Sequence, residues 1–376
     1  MIYLDNSATT NPKPLSVISC ASFALKNFSY NSGRGGYKQS VNTSEQIYAV
    51  REKASALLGY DAQNIIFTQN CTTALNMAVK GLVKNGDHIL ISNLEHNAVS
   101  RPVDTLAKRG IITYNIFEYD YDEDVLIHNI ISQIKPNTKL IVCTHASNVF
   151  GCAFPIKRIA EIAQKNGICF VVDAAQGAGV LEMNYADAGV DICCVAGHKG
   201  LYGPMATGIM AMRDGLKLDT IIEGGTGSSS LNLEQPDFNP DRFEAGSLNN
   251  SGIIGLGAGI DFVSRKGIKN IHKHEMGIVA YIYDCLKKNP NAVLYTPSPT
   301  SFKSAPIISF NYKDYSSEKT ANLLAARGIA TRAGLHCAPL AHKAFGTEKR
   351  GTVRISPSVF TTQNDCEIFL NTLKKL

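Results

Sequence analysis

No Cys-x-x-Cys pair occurs in the chain, although it holds ten cysteines, and zinc and iron–sulfur sites commonly use that spacing. The absence predicts no metal site, and for nine of the thiols the plain expectation is burial in a reducing compartment. No run of Lys and Arg exceeds two residues, so the net charge of +5 leaves no nucleic-acid footprint. No apolar stretch approaches the roughly 20 residues of a membrane span. The opening Met1-Ile2-Tyr3-Leu4-Asp5-Asn6 has neither the basic start nor the apolar core of a secretory signal. These absences predict a cytoplasmic protein that engages neither membrane nor nucleic acid. There is no internal repeat and no low-complexity tract.

What is present describes a soluble globular chain: 376 residues, 44% hydrophobic and 18% charged, too apolar for disorder. The length exceeds what one core supports and predicts one large and one smaller domain. Apolar runs at 64–68, 88–92, 140–144, 168–172 and 191–196 read as strands, and amphipathic stretches at 73–84, 99–108 and 156–166 as helices. This alternation predicts an α/β domain whose mostly parallel sheet is buried on both faces, with ligands at the carboxyl ends of its strands. A Gly/Ser-rich loop at 223–230 and a Gly-rich helix at 252–263 lead into a second domain. That domain contains a helix at 275–288, strands at 307–310 and 352–355, and a closing helix. The expected limits are 15–255 for the large domain, with 1–14 and 256–376 forming the small one.

Two strand ends carry the chemistry. Asp173-Ala174-Ala175-Gln176 closes one apolar run, and Gly197-His198-Lys199-Gly200 follows another. A lysine at a strand end can carry an aldehyde cofactor as a Schiff base, and a neighbouring carboxylate can keep a pyridinium nitrogen protonated. The pair points to pyridoxal phosphate. Alone, such a lysine is usually solvated and such an aspartate is usually a turn or helix cap. A third segment, Arg332-Ala333-Gly334-Leu335-His336-Cys337-Ala338-Pro339, sets one cysteine in a turn-rich stretch, whereas most of the others lie among apolar neighbours.

With these motifs the chain resembles the class V aminotransferase-like cysteine desulfurases and selenocysteine lyases of pyridoxal-phosphate fold type I. The likeness runs from Tyr3-Leu4-Asp5-Asn6-Ser7-Ala8-Thr9-Thr10 to Arg354, with the motifs in family order. The Cys337 segment is most similar to the second group, with its Arg-x-Gly-His-His-Cys-Ala pattern. Leu335 replaces the first of those histidines, and Gly200 is inserted into the common His-Lys-Leu-Tyr-Gly-Pro form. The implied fold is α/β: a large domain with a mostly parallel mixed sheet, plus a smaller α+β domain.

The resemblance implies a role for each matching residue. Thr72 and Thr73, after Cys71 at a helix start, would hold the cofactor phosphate, though a plain N-cap is the simpler reading. His96 would stack on the ring near the reacting carbon. Asn148 would lie by the ring phenolate and the substrate carboxylate, Asp173 by the ring nitrogen, Gln176 by the phenolate, and His198 by the phosphate. Lys199 would form the Schiff base and move the proton at the α carbon. Arg354 would fork onto the substrate carboxylate, a structural ion pair being the alternative. Arg34 would approach the substrate, or belong only to a Gly-rich turn. Cys337 would be the nucleophile that becomes a persulfide, with Arg332 or His336 lowering its pKa.

The family's members are homodimers, and Asn250, where many relatives have Thr, falls in the segment that reaches the partner's phosphate. The implied function is conversion of L-cysteine to L-alanine, with sulfur passed to an acceptor protein as in iron–sulfur cluster assembly. A selenocysteine lyase and a catalytically silent cofactor-binding scaffold in sulfur or selenium assembly remain as alternatives.

Overall fold

A computed structural model describes residues 1–33, 35–299 and 304–376. The chain begins with β1 (Ile2–Tyr3), α1 (Leu15–Asn27) and α2 (Lys38–Leu58). The alternating part follows as β2 (Ile65–Thr68), α3 (Cys71–Leu82), β3 (Asp87–Ser92), α4 (Asn97–Lys108), β4 (Ile112–Phe117), α5 (Glu123–Ile131), β5 (Thr138–Thr144), α6 (Ile156–Lys165), β6 (Cys169–Asp173), β7 (Ile192–Ala196) and β8 (Gly208–Met212). These strands form a seven-stranded sheet in the order β2-β8-β7-β6-β5-β3-β4. Strand β8 is antiparallel to both neighbours, and every other pairing is parallel.

Successive side chains in a strand point to opposite faces. Leu90, Ile141, Cys143, Phe170 and Val172 therefore enter one core and Ile89, Ile91, Leu140, Val142 and Val171 another. Burial on both faces is what continuous apolar runs anticipate, and the mostly parallel mixed sheet agrees with the expected class. Helices α3 and α4 begin two residues before the apolar pattern does, because Asn70 and His96 act as N-caps upstream of it. Two strands of this sheet fall outside the sequence expectation. Strand β8, Gly-Ile-Met-Ala-Met, is short of the β-branched and aromatic residues that mark a strand, and β4 is a half-exposed edge.

Residues 213–249 contain neither helix nor strand. The buried pair of Arg51 on α2 and Glu244 ties this segment to the large core, and Glu244 Oε1 also accepts from Phe67 N at 2.6 Å. Helix α7 (Asn250–Lys266) then carries Ile253, Leu256 and Ile260 into the same core. A Cβ at Gly259 would run into the carbonyl of Leu201, so α7 can lie against the lysine loop only with glycine there.

The rest of the chain is α8 (Ile268–Lys287), β9 (Ala292–Leu294), β10 (Ile308–Tyr312), α9 (Ser317–Ala325), β11 (Ile329–Ala330), β12 (Arg332–Gly334), α10 (Pro339–Ala344), β13 (Thr352–Ile355) and α11 (Gln363–Lys374). Strands β12-β13-β10-β9 make an antiparallel sheet, and β1 pairs in parallel with β11. Its core joins Leu4 from the N-terminus to Ile282, Phe310, Val353 and Phe369. No described helix is long and apolar enough to cross a membrane.

Glu275 of α8 is buried, and its Oε1 accepts from Tyr202 Oη at 3.2 Å. Burial pushes its carboxyl up to about 8. A carboxyl that holds its proton more tightly when folded contributes stability that is fully present below the unfolded value near 4.5 and lost as pH rises toward 8. Glu275→Gln keeps the acceptor and removes the titration. Urea unfolding at several pH values should therefore show the wild type losing stability relative to this variant between about pH 4.5 and 8. A constant difference across that window would mean that Glu275 is ionised in the folded protein.

Candidate active site

The carboxyl ends of the parallel strands converge on one cavity of about 210 Å3, bordered by His96, Asp173, Gln176, His198, Lys199 and Arg354 among others. Asp173 ends β6, Lys199 lies three residues beyond β7, His96 caps α4 after β3, and Cys71 opens α3 after β2. The small sheet closes the cavity from above: Arg332 of β12 pairs in register with Arg354 of β13, and both border it. A wider hollow of about 920 Å3 lies at the other end of the large sheet, where Asp191 pairs with Arg213. None of the candidate residues borders it.

Lys199 is half-buried, and desolvation lowers the pKa of its amine, with Asp173 opposing the shift most strongly. Asp173 is held in one orientation. Its Oδ1 accepts from Ala175 N at 2.9 Å and faces the Cys71 thiol at 3.5 Å, while no hydrogen bond among the described residues reaches Oδ2. His96 Nδ1 accepts the Ala98 N–H at 3.0 Å, which leaves the ring's one proton on Nε2. Burial pulls this imidazole down to about 4, against the pull of Asp173. Behind it, Glu95 accepts from Ser92 Oγ and from Thr144 N, and burial pushes its carboxyl up to about 8.

His198 also lies near 4, lowered first by burial and then by Lys199 and Lys13. Its Nδ1 is buried without a partner, as is Arg354 Nε. The backbone N–H groups of Cys71 and Thr72, at the start of α3, make no hydrogen bond among the described residues. Orphaned donors at a helix N-terminus suit a phosphate, and a half-buried lysine opposite a carboxylate suits an aldehyde-bearing pyridine. The residues present therefore fit pyridoxal phosphate.

The remaining candidates divide. Asn148 Nδ2 donates to the His336 carbonyl at 2.8 Å, and Gln176 Nε2 donates to the Ser7 carbonyl at 2.9 Å. Thr72 borders the cavity, whereas Thr73 N is taken by the Asn70 side chain at 2.9 Å. Asn250 lies outside the cavity, and its side chain donates to the carbonyls of Phe28 and Tyr30 at 3.1 and 2.8 Å. Arg34 lies outside the described residues. Arg354 is buried and in part committed to structure, with Nη2 donating to Asp5 Oδ1 at 2.6 Å and Nη1 to the Asn148 carbonyl at 2.8 Å.

Cys337 is the one exposed cysteine of the ten. Arg332 Nη2 lies 3.7 Å from its Sγ, and its carbonyl accepts the Asn97 N–H at 2.7 Å. The loop that carries it is thus tied to the residue after His96.

Sequence reasoning assigned no role to Asp5 or Lys13. Asp5 pairs with Arg354 across the chain. Lys13 donates to Thr10 Oγ1 and the His198 carbonyl at 2.7 and 2.8 Å, and burial pulls its amine down to about 8. Only the family-like opening segment could have signalled them.

The Aminotransferase class-V family profile matches residues 2–369. A probable cysteine desulfurase of Methanothermobacter thermautotrophicus is 31% identical over 385 residues, covering all of this chain and 94% of that protein. Another, of Halalkalibacterium halodurans, is 30% identical over all of this chain and 93% of its own. The apo structure of a cysteine desulfurase from Thermococcus onnurineus NA1 superposes with a TM-score of 0.92 at 30% identity, covering 100% of this chain and 94% of that one.

Asp5 keeps only a fifth of its side-chain exposure and Arg354 almost none. Removing one partner of such a pair strands the other's charge. Asp5→Ala should therefore destabilise the fold by about 3 kcal/mol in urea titration. A loss below about 1 kcal/mol would mean that the pair behaves as a surface bridge.

Proposed function

This chain belongs to the class-V aminotransferase family, and we propose that it works there as a pyridoxal-phosphate-dependent cysteine desulfurase, converting L-cysteine to L-alanine with the sulfur received on Cys337. The observation that carries the reading is Lys199, half-buried and across one cavity from Asp173, with the exposed Cys337 thiol beside Arg332, which borders that cavity.

When bound, pyridoxal phosphate supplies an aldehyde and an electron-withdrawing ring that weakens bonds at the substrate α carbon. Asp173 would hold the ring nitrogen through its free Oδ2, His96 the ring face, Gln176 and Asn148 the ring oxygen, and His198 with the start of α3 the phosphate. Lys199, its amine biased toward the neutral form by burial, is both nucleophile and proton carrier at the α carbon. Arg354 Nε, buried and unpaired, is the donor available to the substrate carboxylate. The Cys337 thiolate attacks the substrate sulfur: the S–S bond forms as the Cβ–S bond breaks, and a returned proton leaves alanine.

A homodimer is supported by the apolar surface left open on α1 and on the 213–249 segment, including Leu15, Phe23, Leu25, Leu231 and Leu233. An exposed persulfide on Cys337 calls for an acceptor protein. Ten free thiols suit the reducing cytoplasm.

A selenol is more acidic than a thiol and its bond to carbon is weaker, so selenium leaves with less help. Cys337→Ala should nearly abolish alanine formation from L-cysteine while keeping a substantial fraction of activity on L-selenocysteine, with cofactor bound in both assays. Equal retention on both substrates would place the sulfur-accepting cysteine elsewhere. Equal loss would give Cys337 a general role.

Lys199→Ala should lose turnover together with the visible absorption of the resting enzyme. A coloured, active variant would show that another group anchors the cofactor.

A further inference from the structure

Beneath Cys337 lies a buried polar chain that the reaction above does not use. His342 Nδ1 is 2.7 Å from Thr347 Oγ1, His342 Nε2 is 3.4 Å from His336 Nδ1, and His336 Nε2 is 3.4 Å from the Arg332 carbonyl. The two rings lie nearly parallel, 11° apart, and all three side chains are buried.

The chain has only one consistent direction. A carbonyl cannot donate, so His336 Nε2 must carry a hydrogen toward Arg332. A neutral imidazole has one N–H, so His336 Nδ1 is bare and must accept from His342 Nε2. His342 Nδ1 is then bare in turn and must accept the Thr347 hydroxyl. The other acceptor near that hydroxyl, the His342 carbonyl at 3.3 Å, is already served by Thr347 N at 2.8 Å. In the reverse direction two acceptors would face each other at Arg332.

Double protonation of either ring is disfavoured. Burial, then Arg354, pulls His336 down to about 2, and burial pulls His342 to about 4 despite Glu348.

Both His336 and Cys337 adopt left-handed backbone, with φ of 50° and 56°, a conformation that costs energy outside glycine and asparagine and persists only where neighbours enforce it. We propose that Thr347, His342 and His336 form a one-directional relay, each imidazole protonated on Nε2, that holds the Arg332 carbonyl and the left-handed turn and so positions the Cys337 thiol. These are positioning residues: none of the three borders the cavity. The positioning role rests on Cys337 being the sulfur acceptor, whereas the relay itself does not.

Two measurements on the full-length holoenzyme test this. In 15N imidazole spectra, both rings should be bare at Nδ1, protonated at Nε2 and invariant from roughly pH 5.5 to 8.5. A protonated Nδ1 or a titrating ring overturns the relay. In kinetics, Thr347→Val should lower kcat on L-cysteine about fivefold, the loss expected for one hydrogen bond. KM and the bound-cofactor absorption should stay unchanged, and Thr347→Ser should restore kcat. Wild-type kcat in the valine variant, or equal loss in both variants, overturns the positioning role. Expected spectra in a protein whose Cys337→Ala variant still desulfurates cysteine would overturn the functional reading and the positioning role, leaving only the relay.

Discussion

A guanidinium placed where water cannot reach it needs partners from the protein, and Arg354 finds them in two distant parts of the chain. Asp5 comes from the segment after β1 and the Asn148 carbonyl from the loop after β5, while the arginine itself stands on β13 of the small sheet. Were Asp5 absent, an unpaired charge would remain in a medium that penalises it heavily. The pair therefore joins the first residues of the chain to the last strand of the small sheet and sets both against the carboxyl ends of the large sheet. The cavity exists because these pieces meet there.

Cations crowd that cavity. Lys199, Arg332 and Arg354 all border it, and Lys13 stands behind His198. Further positive charge is avoided by keeping the nearby imidazoles His96, His198 and His336 neutral, each lowered mainly by burial. Glu95 keeps its proton beside Asp173 for the mirror-image reason. The cations that stay charged are those that an anionic phosphate and a carboxylate would meet. Two of the buried polar atoms left unpaired, His198 Nδ1 and Arg354 Nε, belong to residues of the same walls.

The large sheet was legible in the sequence because its buried strands are unbroken apolar runs and its helices strongly amphipathic. Family likeness, rather than periodicity, attached roles to Asp173, Lys199 and Cys337. Strand β8 was missed because glycine, alanine and methionine advertise no strand, and its place is set by pairing between β2 and β7. The Asp5–Arg354 pair was hidden by a separation of 349 residues. The ties that Asn250 makes to Phe28 and Tyr30 likewise depend on how α7 packs on α1, which no local pattern encodes. The inserted Gly200 has a physical reason that appears only in three dimensions: a Cβ there would strike the Ala178 carbonyl.

Ten thiols in one chain sound like ten chances for oxidative damage. Seven are buried or half-buried groups whose pKa burial raises, and Cys366, also shifted up by burial, lies in the small-domain core. Oxidants act on the thiolate, and on what they can reach. Cys337 is the exposed thiol of the ten, the rest being buried or, like Cys20, Cys169 and Cys285, half-buried, so among the thiols a peroxide or an electrophile meets Cys337 first. That selectivity has a cost. Oxidation of Cys337 past the sulfenic stage would silence sulfur transfer outright, leaving a folded protein with its cofactor cavity intact.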